Sequence, residues 1–530
     1  MAPKQLLLGD EALALGALHA GLTGVYAYPG TPSTEITEYI QGHPLTRERG
    51  VHCAWSANEK TAMEEALGVS YAGKRALVCF KHVGLNVAAD AFMGSAMTGA
   101  NGGLVIASCD DPSMHSSQNE QDSRFYGAFA MMPVFEPSSQ QEAYEMMGEA
   151  FDYSEKRGIP VLMRMVTRLS HSRAIVETRE DIREQNALAF PKNPRQWVTL
   201  PVNAKVRNEA LVKDYLVFEE DAVESKFNWL KDAPDHSLGI IACGLGYNYL
   251  MENYPDGCPY PVLKISQYPF PRALAVKLAS MCKTILVIEE GQPLVEDRLR
   301  GVFQSGITVK GRLDGTLPRT GELTPDAVRA ALGLPETKGL DPCDIVAPRP
   351  PALCQGCGHR DFYTALNNVL KDYPTARVFS DIGCYTLGWL APFHAFHTCV
   401  EMGASLTMSQ GAAFSGVWPS VAVIGDSTFT HSGMTGLLDA VNGNADVTLC
   451  ISDNLTTGMT GGQDSAGTGR LEAICAGIGV DPAHIRTIVP LPKNYPEMEQ
   501  TIREELEYHG VSVIICRREC IQTFRRHAKK

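Results

Sequence analysis

The sequence has no uninterrupted apolar stretch near the roughly 20 residues that a membrane-spanning helix requires, so no membrane association is expected. Its first residues, Met1 to Asp10, hold too short an apolar run for a secretory signal, and a cytoplasmic location is expected. Basic clusters are scarce as well. The net charge is −13, and Lys and Arg stand close together chiefly in the last residues, Arg525 to Lys530, which read as a solvated end. Nucleic acid is therefore excluded as an expected partner. No short-period repeat is visible. Disulfides are not expected in a reducing compartment, so the 15 cysteines read as free thiols or metal ligands. Cys79, Cys109, Cys243 and Cys450 lie in or beside apolar runs and read as small core hydrophobes. Cys354, Cys357, Cys384 and Cys520 do not.

What is present is an ordinary globular composition, 44% hydrophobic and 20% charged over 530 residues, enough for about three domains. The predicted class is α/β, in three blocks. Residues 1–190 carry apolar strand-like runs at Gly24–Tyr28, Arg75–Phe80, Gly103–Ser108 and Ile159–Met165. Helix-like segments such as Ala57–Tyr71 and Gln140–Lys156 separate them. That alternation predicts a doubly wound parallel sheet. A polar stretch, Glu177–Asn208, reads as a connector. Residues 209–335 form a smaller α/β block with strands at Leu238–Cys243, Pro261–Ser266 and Thr284–Glu289. The Gly244-Leu245-Gly246 turn there lacks the third glycine of a dinucleotide fingerprint and reads as a plain strand-to-helix turn. The Pro- and Gly-rich residues 336–351 read as a linker. Residues 352–530 repeat the size and layout of the first block, with strands at Arg377–Asp381, Ser420–Ile424, Asp446–Ser452 and Val511–Cys516.

Three constellations carry chemistry. Gly425-Asp426 ends one predicted strand, and Asn454, 28 positions after Asp426, follows the next. Parallel sheets gather ligands at the carboxyl ends of their strands. A carboxylate and an amide there offer hard oxygen ligands to Mg²⁺, which usually also binds phosphates. The pattern matches the motif that holds the metal of thiamine diphosphate, although Gly-Asp and Asp-Asn are also common turn pairs. Second, Cys354 and Cys357 form a C-x-x-C turn, while Cys384 and Cys520 each follow a predicted strand; Cys516 is an alternative to Cys520. Four such thiolates can hold one metal centre, and spacing alone leaves zinc and iron–sulfur both open. A thioredoxin-like pair is disfavoured, because no strand precedes Cys354 and no helix is evidently opened by the pair. Third, Glu59 opens a predicted helix. Thiamine diphosphate needs one positioned acid on its pyrimidine nitrogen, a role Glu59 suits. The bland reading is a helix-start glutamate favoured by the macrodipole. Glu64 and Glu65 are alternatives.

Taken together, the chain resembles the large (alpha) subunits of indolepyruvate-type enzymes within the thiamine-dependent 2-oxoacid:ferredoxin oxidoreductases. The resemblance rests on Tyr28-Pro29-Gly30-Thr31-Pro32-Ser33-Thr34, Asn58-Glu59-Lys60, Lys81-His82-Val83-Gly84-Leu85-Asn86 and Asp110 to Asp122. Later stretches are Cys354-x-Gly356-Cys357-x-His359-Arg360, Asp381 to Thr386, Gly425-Asp426-Ser427 and Asp453 to Gly461. It implies a pyrimidine-binding domain, a transketolase C-terminal-like domain and a diphosphate-binding domain in that order. Glu59 would activate the pyrimidine, with Thr31 and His82 near substrate and cofactor. Gly383, Cys384, Tyr385, Gly425, Asp426, Ser427, Asn454 and Thr456 would surround the cofactor. Asp426, Asn454 and the Thr456 carbonyl would bind Mg²⁺. Cys354, Cys357, Cys384 and Cys520 would carry one [4Fe-4S] cluster.

The implied reaction is oxidation of an arylpyruvate with coenzyme A to an arylacetyl-CoA and CO₂. A smaller (beta) subunit and ferredoxin or another electron-transfer subunit are implied partners, in a dimer of heterodimers or larger. Such subunits usually continue into a ferredoxin-like domain, whose cysteine runs are not found after Cys520. The nearest rival, a non-oxidative thiamine-dependent 2-oxoacid decarboxylase, has no use for four converging cysteines. A zinc-stapled, non-catalytic binding protein is a second rival.

Overall fold

The computed structural model describes residues 3–527 apart from 191, 192, 194, 303–305, 338 and 342. Parts of the expected connector, linker and basic tail thus lie outside the described residues. The chain divides into two units, residues 1–340 and 341–530. Both are mixed α/β structures built on parallel sheets. Among the described residues, no helix is long and apolar enough to cross a membrane.

The first unit holds two main sheets. A seven-stranded sheet runs in the order Gln267–Tyr268, Val134–Phe135, Val161–Val166, Leu104–Asp110, Ala76–Lys81, Gly24–Ala27, His52–Trp55. All its pairings are parallel except the first. Its central strands are buried throughout, which is why they read in sequence as continuous apolar runs. Alternate residues feed opposite cores: Leu77 and Cys79 enter one, Ala76, Val78 and Phe80 the other. The helix Gln140–Arg157 starts where Ser139 Oγ accepts the Glu142 N–H at 3.2 Å and stops at Gly158, whose φ is +64°.

The five-stranded sheet runs Thr308–Lys310, Thr284–Ile288, Gly239–Cys243, Val262–Ile265, Trp229–Lys231. Its inward residues join the same two cores, Ile240 and Ala242 one, Ile241 and Cys243 the other. Gln267–Tyr268 leaves this block to pair antiparallel with Val134–Phe135. The first two sequence blocks therefore share one packed interior. The expected connector is also shorter than predicted, because residues 201–208 begin the helix Pro201–Glu224.

A buried ionic network ties the two sheets together. Arg124 donates to Asp122 at 2.5 Å and to Glu289 at 2.9 Å, and to the carbonyls of Glu290 and Gln292. Arg164 donates to Asp110 at 2.6 Å and to Glu136, which also accepts the Tyr268 hydroxyl at 2.7 Å. Glu136 further fills the turn at Gly244, where an added Cβ would lie 2.5 Å from its Cγ. A phosphate has no room there.

In the second unit a six-stranded sheet runs Thr398–Cys399, Arg377–Ser380, Ser420–Gly425, Val447–Asp453, Val511–Arg517, Ile485–Ile488, all parallel. Val421, Val423 and Cys450 face one core; Ala422, Ile424 and Leu449 face the other. Each fully buried Val, Leu or Ile side chain here contributes roughly 2 kcal/mol.

Arg164→Met should destabilise the protein by about 3–5 kcal/mol, since it strands the Asp110 and Glu136 carboxylates in the interior. Guanidinium-induced unfolding reads this directly; a loss below about 1 kcal/mol would show that the network is not held by Arg164.

Candidate active site

In the first unit, three predicted residues follow three adjacent strands. Thr31 follows Gly24–Ala27, Glu59 follows His52–Trp55, and His82 follows Ala76–Lys81 directly. The Asn58 side chain accepts the Thr61 N–H at 2.9 Å and so fixes the start of the helix Glu59–Tyr71. The helical turn then carries Glu59 inward, to 6% exposure. Glu64 and Glu65 are exposed; Glu64 pairs with Lys60 at 2.5 Å and Glu65 accepts the Ser56 hydroxyl. Of the three candidates, burial singles out Glu59. Its carboxyl lies against Gly84, where an added Cβ would sit 2.6 Å from Oε1.

His82 is buried with Nε2 3.1 Å from the Asn119 carbonyl. That carbonyl can only accept, so Nε2 carries a proton, while Nδ1 has no hydrogen-bond partner. The Thr31 carbonyl accepts the Ser116 hydroxyl at 3.3 Å. Lys81 Nζ donates to the Ser116 carbonyl at 2.8 Å, and burial lowers its pKa to about 8 against the opposing pull of Asp111. Sequence reasoning missed Lys81, although a lysine ending a fully buried strand was a visible signal.

In the second unit, loops from Arg377–Ser380, Ser420–Gly425 and Val447–Asp453 meet at one sheet edge. The parallel register pairs Gly425 with Ser452, placing Asp426 and Asn454 on the adjoining loops. Ser427 Oγ lies 2.9 Å from Thr457 Oγ1, and Thr428 Oγ1 donates to the Ile382 carbonyl at 3.1 Å. Asn454 Oδ1 accepts the Thr456 N–H at 3.1 Å. Asp426 is 2% exposed; burial pushes its pKa up to about 7, and its Oδ2 has no hydrogen-bond partner. An orphaned buried carboxylate oxygen beside an amide and a backbone loop is a donor set that fits Mg²⁺. The Tyr385 hydroxyl donates to Asp381, with the Ile382 carbonyl oxygen 3.1 Å away. Gly383 precedes the turn Cys384–Trp389 that carries it.

Cys354, Cys357, Cys384 and Cys520 all line one cavity of about 90 Å³, together with Asn454 and Gly458. A Cβ added at Gly458 would lie 3.5 Å from Cys384 Sγ and 3.8 Å from Cys520 Sγ. Burial, then the neighbouring thiols, lifts the Cys384 pKa to about 12, and burial also raises Cys357. Such thiols are poor nucleophiles and become thiolates only with a bound cation. Contrary to expectation, a helix does follow the C-x-x-C pair: Gly358–Leu370 begins directly after Cys357. Cys516 reaches the cavity from its strand, but its neighbours are Cys450 and Asp453. Two donors were missed. His359 Nδ1 lies 3.4 Å from Cys357 Sγ, and Gln522 Nε2 lies 3.3 Å from Cys354 Sγ. Each stands two residues from a predicted cysteine, and His359 also lies within the Cys354 to Arg360 motif.

Since burial raises Asp426, its charged form is penalised in the fold. That penalty is absent below the ordinary carboxylate range and grows as pH rises through about 7. Asp426→Asn should therefore raise the melting temperature of the metal-free protein at pH 8 by at least about 2 °C. The gain should shrink towards pH 5. No gain at pH 8 in calorimetry would contradict the assignment of an uncompensated carboxylate.

Residues 15–222 match the family described as pyruvate flavodoxin/ferredoxin oxidoreductase, thiamine diP-binding, and residues 381–516 match the C-terminal TPP-binding domain of thiamine pyrophosphate enzymes. Indolepyruvate oxidoreductase subunit IorA of Archaeoglobus fulgidus is 40% identical over 98% of this chain and 86% of its own length. The Methanothermobacter thermautotrophicus protein of the same name is 38% identical over 98% and 87%. Among solved structures, 2-oxoglutarate:ferredoxin oxidoreductase from Magnetococcus marinus shares the fold at a TM-score of 0.51 and 16% identity. The match covers 62% of this chain and 65% of that one. Shared motifs, matched domains and near-complete coverage place this chain in the family of indolepyruvate oxidoreductase large subunits, thiamine diphosphate-dependent 2-oxoacid:ferredoxin oxidoreductases.

Proposed function

We propose that this chain oxidises an arylpyruvate with coenzyme A to the arylacetyl-CoA and CO₂, and passes the electrons through one [4Fe-4S] cluster to ferredoxin or an electron-transfer partner. The relatives are named as subunits, which supports a smaller partner subunit. The observation that carries the reading is that four thiols and a Mg²⁺-type donor set share contiguous loops in one unit: Asn454 lines the same cavity as the cysteines. Four thiols lining one cavity are a ligand set that an iron–sulfur cluster would take.

Thiamine diphosphate, when bound, supplies the electron sink that lets the substrate carboxylate leave as CO₂, and the cluster supplies a one-electron acceptor. The chain's own residues do the rest. Glu59, held inward by its helix cap, would offer its carboxyl to the pyrimidine nitrogen of the cofactor. Asp426, Asn454 and the Thr456 carbonyl would hold Mg²⁺ against the diphosphate, with Gly425, Ser427 and Gly383 forming the close-packed loops around it. Thr31 and His82 would orient the 2-oxoacid. Cys354, Cys357, Cys384 and Cys520 would ligate the irons, with His359 and Gln522 adding polar contacts to two of the sulfurs. The buried setting limits stray protonation during the reaction.

Two variants test the roles after anaerobic purification with the partner subunit. Glu59→Gln should fold and keep its visible spectrum but lose at least about 100-fold in turnover; normal turnover would remove Glu59 from the chemistry. Cys520→Ala should lose the brown absorption and acceptor reduction, whereas Cys516→Ala should keep both; the reverse pattern would move the fourth ligand onto the strand. A panel of 2-oxoacids assayed with coenzyme A and ferredoxin identifies the substrate. Release of CO₂ without acceptor reduction would favour a non-oxidative decarboxylase.

A further inference from the structure

A second cluster of ligating side chains lies in the first unit and has no part in the chemistry above. Asp10 lies in the first turn of the helix Gly9–His19, Glu35 in the first turn of the helix Thr34–Gly42, and His171 ends the short helix Thr167–His171. One ligand atom from each lies within 4.8 Å of the other two, and His171 Nε2 stands 3.4 Å from Glu35 Oε1. Close backbone approach makes this possible. A Cβ added at Gly9 would lie 2.2 Å from the Leu169 carbonyl oxygen, so only a glycine lets the first helix abut the 167–171 turn.

Hydrogen bonding at this point is incomplete. Asp10 is fully buried and neither carboxylate oxygen has a hydrogen-bond partner. Glu35 Oε2 is likewise buried and unpartnered. Independently, the Ser170 hydroxyl, also fully buried, stands alongside Asp10 without a bond of acceptable geometry to anything. Buried polar atoms are nearly always paired, and a group of four left open at one place calls for an occupant. Glu11 and Asp111 are the further charged groups felt at this place. Burial pushes Asp10 up to about 8, and the hydrogen bond to Glu35 raises His171, so a cation binding here would displace a proton from Asp10.

We propose that Asp10, Glu35 and His171, with the Ser170 hydroxyl, form a binding site for a divalent transition-metal cation, Zn²⁺ by its donor chemistry. One imidazole nitrogen, two carboxylates and a hydroxyl make the mixed N/O set that such ions take, unlike the all-oxygen set expected for Mg²⁺. Glu35 and His171 remain about one-third exposed, which leaves an entry path and an open coordination position. The ion would pin the N-terminal helix, the helix that follows the Thr31 loop and the turn after Val161–Val166 to one another. Its binding would stabilise the first unit by mass action. This site stands independently of the thiamine reading.

The test is site-resolved. Crystals of the full chain, grown anaerobically and soaked in Zn²⁺ alone, are measured on both sides of the zinc absorption edge. An anomalous peak within bonding distance of Asp10, Glu35 and His171 is expected, and it should be absent from the Glu35→Gln/His171→Asn double variant. In chelator competition that variant should bind one Zn²⁺ fewer per chain, or bind it at least about 100-fold more weakly. A wild-type map that shows zinc in the four-thiol cavity but none here would overturn the proposal, as would a peak that survives the double substitution. Should the double variant fail to fold, the wild-type map alone decides.

Discussion

Parallel pairing of Arg377–Ser380, Ser420–Gly425 and Val447–Asp453 delivers three consecutive loops to one sheet edge, and the chemistry of the second unit depends on that register. Gly425 lies opposite Ser452, so the carboxylate that follows one and the amide that follows the other arrive on neighbouring loops. A one-residue slip would turn every side chain of those strands to the opposite core and separate the donors. The fold accepts a cost to keep this edge. Asp426 is buried without a full complement of partners, and Cys357 and Cys384 are held as thiols by burial. A cation bound at this edge would neutralise the Asp426 carboxylate and stabilise the fold by mass action.

In the first unit the corresponding constraint is electrostatic. Three buried arginines, Arg124, Arg164 and Arg312, meet five buried acids, Asp110, Asp122, Glu136, Glu289 and Glu290. Burial pushes Glu290 up to about 7 and raises Asp110 and Glu289 as well. Packed apolar residues would hold two sheets together at least as firmly. Charged, directional contacts fix instead how the strands Val134–Phe135 and Gln267–Tyr268 meet, and hence where the loops after the large sheet begin.

Much of this was legible in the sequence where a strand is buried on both faces. Ser420–Ile424, predicted from its apolar run, is observed as Ser420–Gly425, and Thr284–Glu289 as Thr284–Ile288. Short edge strands such as Ile485–Ile488 and Trp229–Lys231 were not legible, because half-exposed residues carry no continuous apolar signal. Gln267–Tyr268 escaped for a different reason: two residues have no period, and their partner strand lies over 130 positions away. The site residues followed strand ends and were readable one loop at a time. Asp10 was not singled out, since an acid in the first turn of a helix is unremarkable until its burial is known.

The central claim is that a diphosphate-binding metal and an iron–sulfur centre sit side by side on loops of the second unit. Pulsed EPR of the anaerobic protein, loaded with thiamine diphosphate and Mn²⁺ in place of Mg²⁺, tests it most directly. Reducing the cluster should broaden and speed the relaxation of the Mn²⁺ signal, and Cys384→Ser should abolish that effect. A Mn²⁺ signal indifferent to cluster reduction would contradict the arrangement.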